Sequence, residues 1–294
     1  MATLPAAEIR RAVCQGLEED LAQGDATTAS IFLSPVPARA EIIAQQPLVV
    51  AGMAAAVQTF LMVDPALRLS VSKRDGDRAK NGEPLLQIEG DGRSILRAER
   101  VALNFLQHLS GIATVTQRFC HAVRGYPVSI LDTRKTLPGW RALQKWAVSL
   151  GGGINHRRSL GDGILIKDNH LALLQRTRRP VERACRLAHA RRLRPLPIIV
   201  EVESLSEVRQ ALAGKPDIIL LDNMAPDLVR RAVALIKKQA LVEVSGGITL
   251  KSVRAMAAAG ADRISIGALT HSAPAATVSL VMTTLTRSSR RRRS

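Results

Sequence analysis

Leu131-Asp132-Thr133-Arg134-Lys135-Thr136 and Ile164-Leu165-Ile166-Lys167-Asp168-Asn169-His170 bracket the stretch that decides the fold, with Gly151-Gly152-Gly153-Ile154-Asn155-His156-Arg157 between them. Each polar cluster follows a short apolar, β-prone run: Val128 to Leu131, Ile154, and Ile164 to Ile166. A strand that ends in a polar turn delivers those side chains to one end of a sheet. Arg134, Lys135, Arg157 and Lys167 then face one cavity. Crowding like charges is costly unless an anion fills the space, because each cation raises the cost of desolvating the next. The spacing predicts a site for a polyanionic small molecule.

The same rhythm continues downstream. Ile198 to Val202, Ile218 to Leu221, Leu241 to Val244 and Ile264 to Ile266 are apolar runs separated by helical stretches, the signature of parallel βα units. Counting Ile154 gives seven strands, and no helix fits between Ile154 and Ile164. The expected architecture is therefore α/β, an open seven-stranded βα barrel, an incomplete version of the eight-stranded form. Barrel active sites lie at the carboxyl ends of the strands. The residues to inspect are Thr133, Arg134, Lys135, Asn155, His156, Arg157, Lys167, Asp168, Glu201, Asp222, Ser245-Gly246-Gly247 and Ile266-Gly267-Ala268.

Glycine-rich turns after the last two strands bring backbone N–H groups close to a phosphate. Ser245, Gly246, Gly247, Ile266, Gly267 and Ala268 read as such a cradle, or as ordinary strand–helix turns. Glu201 and Asp222 suit ribose hydroxyls or a hydrated Mg²⁺, which takes oxygen ligands and phosphate partners. A single acid at a strand end is more often a helix cap. Two at successive ends, opposite four cations, favour function. His156 stays open between a ligand-binding and a structural histidine.

The first part of the chain has another pattern. Ile9, Val13 and Leu17 recur at helical spacing, predicting a helix from about Pro5 to Leu21, with Ala26-Thr27-Thr28 as a loop after the turn Gln23-Gly24-Asp25. Runs at Ala40 to Val50, Leu67 to Ser72 and Leu85 to Glu89 predict a small sheet, with a helix near Met53 to Met62. A helix over Arg97 to Ser110, stopped at Gly111, carries Arg100, which spacing alone leaves open between a surface arginine and a substrate arm. The expected division is an N-terminal α+β sandwich domain over residues 1–110, a βα-barrel domain over 111–271, a helix over 272–286 packed back on the first domain, and a disordered basic tail over 287–294.

Composition narrows the function classes. The net charge of +17 is concentrated in the run Arg176 to Arg194 and in Arg287 and Arg290 to Arg293. With 2% aromatic residues there is little for bases to stack on, and no nucleic-acid-binding motif occurs, so a solvated helix face and a tail account for the charge without specific nucleic-acid binding. Cys14, Cys120 and Cys185 are far apart and lack zinc spacing, which predicts reduced, buried thiols. No apolar run is long enough to span a bilayer, and no signal peptide is evident, so a cytoplasmic protein without membrane attachment is expected.

Asp132-Thr133-Arg134-Lys135-Thr136 with Pro138-Gly139, Gly151-Gly152-Gly153 with Asn155-His156-Arg157, and Leu165-Ile166-Lys167-Asp168-Asn169-His170, in this order and spacing, resemble the quinolinate phosphoribosyltransferase family. The likeness runs from about Glu18 to His271 and includes Gly24-Asp25-Ala26-Thr27-Thr28, Glu99-Arg100 and Ser245-Gly246-Gly247. It implies the same open barrel. It also implies that quinolinate displaces diphosphate from 5-phosphoribosyl-1-diphosphate and loses its 2-carboxylate, giving nicotinate mononucleotide, CO₂ and diphosphate, with Mg²⁺. By motif, Arg134, His156, Arg157 and Lys167 would bind the quinolinate carboxylates, and Lys135 and Lys167 would face the diphosphate. Lys135, Lys167, Glu201 and Asp222 are the expected catalytic set, and Glu201 and Asp222 would meet the metal directly or through water. Arg100 matches the family arginine that reaches a neighbouring subunit's site, which implies a homodimer or larger assembly. Two other classes stay in view: a related transferase for another aromatic acid or nucleobase, and a basic βα protein that binds nucleic acid.

Overall fold

In the computed structural model, residues 4–174 and 177–284 are described. The chain divides into two units. Unit 1 takes Met1–Val115, Pro138–Gly151 and Ala273–Ser294, and unit 2 takes Thr116–Leu137 and Gly152–Ser272.

Unit 1 begins with α1 (Ala6–Leu21). The expected loop at Ala26-Thr27-Thr28 is instead a short helix, α2 (Ala26–Ile31), because the Asp25 side chain accepts the Thr28 N–H at 2.9 Å and caps its first turn. The strands β1 (Pro37–Ala44), β2 (Leu48–Val49), β3 (Arg68–Val71), β4 (Arg78–Ala79) and β5 (Pro84–Asp91) surround α3 (Met53–Val63). Ala38, Ala40, Ile42 and Ala44 alternate inward along β1 and join Leu86 and Ile88 of β5 in one core. The predicted apolar runs thus become strands, though each edge is displaced by a few residues.

Helix α4 (Gly92–Ala122) is 31 residues long and passes straight through Gly111, where a stop was expected. Gly111 is there for closeness. A Cβ at that position would lie 2.2 Å from the Pro274 carbonyl oxygen, so only glycine lets the two backbones approach. Helix α5 (Arg141–Leu150) belongs to unit 1, although the expected barrel domain of residues 111–271 included it. There Trp140 stacks on Phe105 at 4.8 Å between ring centroids, and His108 Nε2 lies 2.7 Å from Gln144 Nε2.

Unit 2 carries the parallel sheet. Its strands are β6 (Ser129–Leu131), β7 (Ile164–Ile166), β8 (Ile198–Val202), β9 (Ile218–Asp222), β10 (Leu241–Ser245) and β11 (Arg263–Ser265), paired in the order β6-β11-β10-β9-β8-β7. Helices α6 (Asp168–Ala172), α7 (Pro180–Arg191), α8 (Leu205–Gly214), α9 (Pro226–Ile236), α10 (Val253–Ala258) and α11 (Ala268–His271) follow the strands. The seventh strand is a single bridge, Ile154 beside Leu131, with Ile154 N–H donating to the Ile130 carbonyl at 2.8 Å. Between Ile154 and β7 stands only a one-turn 3₁₀ helix, Leu160–Asp162, so the barrel is open there, as the spacing predicted.

The expected C-terminal helix over 272–286 is a strand, β12 (Val278–Thr284), antiparallel to β1 with Ala40 opposite Met282. Val278, Leu280 and Met282 turn to the core while Val281 is exposed, a period of two rather than 3.6. The alanines before it masked that alternation. The tail 287–294 and Arg176 lie outside the described residues. Within the arginine-rich run, Arg183, Arg186, Arg191, Arg192 and Arg194 are exposed, while Glu182 pairs with Arg179 and Arg186 at 2.7 Å each. No helix among the described residues is long and apolar enough to cross a membrane.

Replacing glycine by alanine inside a helix ordinarily stabilises by about 1 kcal/mol. Gly111→Ala should do the opposite and cost about 1–3 kcal/mol, because the new methyl overlaps the Pro274 carbonyl. Urea unfolding of the two proteins measures it; a gain in stability would remove the close-approach account.

Candidate active site

One cavity of about 480 Å³ opens at the carboxyl ends of the parallel strands, and all its lining residues lie in unit 2. Thr133, Arg134 and Lys135 follow β6; His156 and Arg157 follow the Ile154 bridge; Lys167 follows β7. Glu201 lies on β8, Asp222 ends β9, Ser245 ends β10 with Gly246 and Gly247 after it, and Ile266-Gly267-Ala268 follow β11. Three residues singled out in the sequence do not line this cavity. Asn155 is turned to Asp132, Asp168 begins α6, and Arg100 is exposed on α4 in unit 1.

Parallel pairing explains the convergence. Along a strand every second side chain points inward, and register aligns these positions between neighbours. Asp222 is opposite Ser245, while Glu201 and Glu243 are both opposite Leu220, so Asp222 and Ser245 form one layer and Glu201, Leu220 and Glu243 the layer beneath it. Leu165 and Leu220 add an apolar wall, which suits a flat ring between charged ends.

The cations are positioned by loops with their own anchors. Thr270 Oγ1 donates to the Lys135 carbonyl at 2.7 Å, and Lys135 N–H donates to Thr133 Oγ1 at 3.1 Å. Asp132, fully buried, accepts His156 N–H at 2.7 Å and Asn155 Nδ2 at 2.8 Å. Arg157 Nη1 donates to the Gly163 carbonyl at 2.9 Å, while its buried Nε has no hydrogen-bond partner. Burial, with the charge of Arg134 added to it, pushes the Arg157 guanidinium below its ordinary value. Like charges at that proximity are what an anionic ligand would relieve. Lys167 Nζ lies 2.5 Å from Glu201 Oε2 and its N–H donates to His170 Nδ1 at 3.0 Å, so His170 shapes the loop.

The glycine turns form a concave backbone surface. Gly246 and Gly247 have φ of +90° and +59°, and a Cβ on Gly246 would sit 2.2 Å from Asn223 Oδ1. A Cβ on Gly267 would lie 3.0 Å from both Lys135 Cδ and His271 Nε2. Among the described residues, the N–H groups of Gly246, Gly247, Gly267 and Ala268 donate to no protein acceptor. Backbone donors gathered in this way make an anion cradle.

Two buried acids escaped the sequence reading. Asp132 opens the first polar cluster, but nothing in the sequence marks it as an anchor. Glu243 was absorbed into the apolar run Leu241 to Val244; an acid at the centre of such a run was the signal available. Its side chain has no exposed surface, and its oxygens lie 3.2 Å from His156 Nε2 and 3.2 Å from Arg263 Nε. Both approaches are close, although neither oxygen meets strict hydrogen-bond geometry. Burial alone would push the Glu243 carboxyl up; the pull of His156, Arg263 and Ser265 outweighs it and holds the group below its ordinary value.

No cluster of three or more His, Cys, Asp or Glu able to hold a metal occurs among the described residues. Glu201 and Asp222 are each engaged, with Lys167 and with Asn223 Nδ2 at 2.7 Å. This donor set cannot cage a metal alone. It does fit a hydrated divalent ion that brings phosphate oxygens with it.

Comparison with known proteins gives one consistent result. The model of the quinolinate phosphoribosyl transferase C-terminal domain matches residues 112–281, and that of the N-terminal domain matches 25–110. The chain is 40% identical over 265 residues to a probable nicotinate-nucleotide pyrophosphorylase [carboxylating] of Bacillus subtilis, covering 90% of each chain. It is 41% identical over 272 residues to the Mycobacterium leprae nicotinate-nucleotide pyrophosphorylase [carboxylating], covering 90% of this chain and 93% of the relative. The solved structure of the nicotinate-nucleotide pyrophosphorylase from Francisella tularensis superposes with a TM-score of 0.86 at 35% identity, covering 96% of this chain and 98% of that one.

A depressed carboxyl contributes stability above its unfolded pKa of about 4.3 and loses it as pH falls through the lower folded value. Glu243 has that sign. The stability gap between the natural chain and Glu243→Gln should therefore be constant near neutrality and shrink in the acid range. Urea unfolding from about pH 7 to pH 3 measures it. A gap independent of pH would mean that Glu243 is not held as a carboxylate.

Proposed function

The chain belongs to the quinolinate phosphoribosyltransferase family, and on that premise we propose that quinolinate and 5-phosphoribosyl-1-diphosphate meet in the cavity of unit 2. The enzyme is a glycosyltransferase of NAD biosynthesis: it joins quinolinate to the anomeric carbon of the sugar, releases diphosphate and CO₂, and yields nicotinate mononucleotide.

The observation that carries this reading is the grouping of Arg134, Lys135, Arg157 and Lys167 around one cavity with a glycine cradle on its far strands. Arginine offers a planar fork to a carboxylate, so Arg134 and Arg157 take the two acid groups of quinolinate, with His156 and Lys167 beside them. The N–H groups of Gly246, Gly247, Gly267 and Ala268, with Ser245 and Ile266 shaping the turns, take the 5′-phosphate. Glu201 and Asp222 face the ribose hydroxyls. Lys135 and Lys167 are set toward the leaving diphosphate, where negative charge grows as the glycosidic bond to it breaks. Preorganised cations that match charge developing in the transition state are usually the largest catalytic term. Glu201 and Asp222 would hold Mg²⁺ directly or through water, and when bound it would supply further neutralisation of that charge. Loss of the 2-carboxylate leaves an electron pair on the ring carbon, which takes up one proton to complete the product.

Arg100 completes the acid pocket in this reading from a second copy of the chain. It is exposed on α4 and does not line its own chain's cavity. The working unit is then a homodimer or larger, and the working compartment is the cytoplasm.

Two outcomes test the assignments. Nicotinate has one carboxylate and cannot satisfy this set of cations; one unpaired buried charge costs about 3–5 kcal/mol, a factor of hundreds to thousands. The natural enzyme should therefore prefer quinolinate strongly in kcat/KM, and Arg157→Ala should lose far more activity on quinolinate than on nicotinate. Similar kcat/KM values for the two acids would instead favour a transferase of another aromatic acid. For the shared site, a chain with Arg100→Ala mixed with a chain disabled at Lys167 should regain activity, since some mixed dimers hold one site free of both lesions. Mixtures that stay inactive after proven subunit exchange would place Arg100 outside the site.

A further inference from the structure

Glu243 takes no part in substrate binding or group transfer as assigned, and its setting calls for a role. A fully buried carboxylate in the floor of a cavity built for anions repels the ligand that the cavity serves, so a feature of this kind persists only with compensation. The compensation is visible. Arg263 Nε stands 3.2 Å from one oxygen, and His156 Nε2 stands 3.2 Å from the other.

The other ring nitrogen of His156 determines what that second contact means. His156 Nδ1 accepts the backbone N–H of Arg157 at 2.7 Å. A nitrogen that accepts an N–H has its lone pair committed and carries no proton, so the ring proton stands on Nε2 and faces Glu243. The carboxylate thus favours one tautomer and one ring orientation. That orientation in turn holds the Arg157 N–H, from which the guanidinium arm departs toward Gly163. A carboxylate behind a histidine commonly fixes tautomer and ring orientation for the group in front.

We propose that Glu243 is a positioning residue for the acid-binding side of the cavity: through the His156 tautomer it sets the direction in which His156 and Arg157 are offered to the quinolinate carboxylates. The proposal rests on the quinolinate reading for its kinetic consequence but not for its structural one. The close contacts of Glu243 run to His156 and Arg263 and to neither Lys167 nor the cradle glycines, so its removal should spare the sugar-phosphate side.

Glu243→Gln keeps the size of the side chain and removes its charge. In steady-state assays with Mg²⁺ the KM for quinolinate should rise about tenfold, the scale of one orienting interaction, while the KM for phosphoribosyl diphosphate stays within about twofold. In parallel, ¹⁵N–¹H correlation of the His156 imidazole, identified by its loss in His156→Gln, should show the Nε2–H tautomer alone in the natural chain and a mixture in Glu243→Gln. Glu243→Asp retains the charge and should restore the single tautomer; it also carries the same two measurements if the glutamine variant does not fold. An equal rise in both KM values, or an unchanged tautomer in Glu243→Gln, would overturn the proposal in favour of a purely structural ion pair. Should the natural enzyme fail to use quinolinate, the substrate reading falls, and the imidazole spectrum still decides the role of Glu243.

Discussion

A buried carboxylate, Asp132, ties the loop of His156 and Arg157 to the sheet. Backbone pairing fastens the segment after the triple glycine through one bridged residue, Ile154. Asp132, at the end of β6, adds two bonds from one side chain, to His156 N–H and to Asn155 Nδ2. Charge-assisted bonds of this sort are stronger than neutral ones and fix geometry from both oxygens. They add to a backbone bridge that is too short to be a strand.

Around that anchor the cavity balances its charges in layers. Arg134, Lys135, Arg157 and Lys167 line the mouth, but so do Glu201 and Asp222, and Glu243 lies on the floor. The acids offset part of the repulsion among the cations. The Lys167–Glu201 pair is partly exposed, so it adds at most about 1 kcal/mol to stability and is cheap to rearrange. The pair that involves Glu243 is buried, and removing one member there leaves an uncompensated charge. Exposure therefore separates the contacts that can yield to a ligand from those that must persist.

Much of this was legible in the sequence. Short apolar runs with polar ends marked the strands of unit 2, because parallel strands buried on both faces leave little room for any other pattern. The strand-end rule then gathered nearly all the cavity residues. The features that stayed hidden depended on partners far along the chain. Gly111 looked like a helix stop because its reason, the Pro274 backbone, is remote in sequence. The strand Val278–Thr284 looked helical because its alternation acquires meaning only beside β1. Glu243 passed as one polar residue in an apolar run, and only the arrival of His156 and Arg263 from other elements explains it.

The placement of β12 bears on how the molecule is made. Strand β1 pairs on one side with β5, close in sequence, and on the other with β12, with Gln45 and Ser279 joined across 234 positions of chain. All of unit 2 is synthesised in that interval, which at about 5–20 residues per second lasts roughly 10–50 s. For that time one edge of the β1–β5–β3 sheet has no strand beside it, and an unpaired edge is a template for joining other chains. A nascent chain of this protein is therefore most exposed to mispairing before its last strand emerges, and unit 2 can mature while unit 1 still waits.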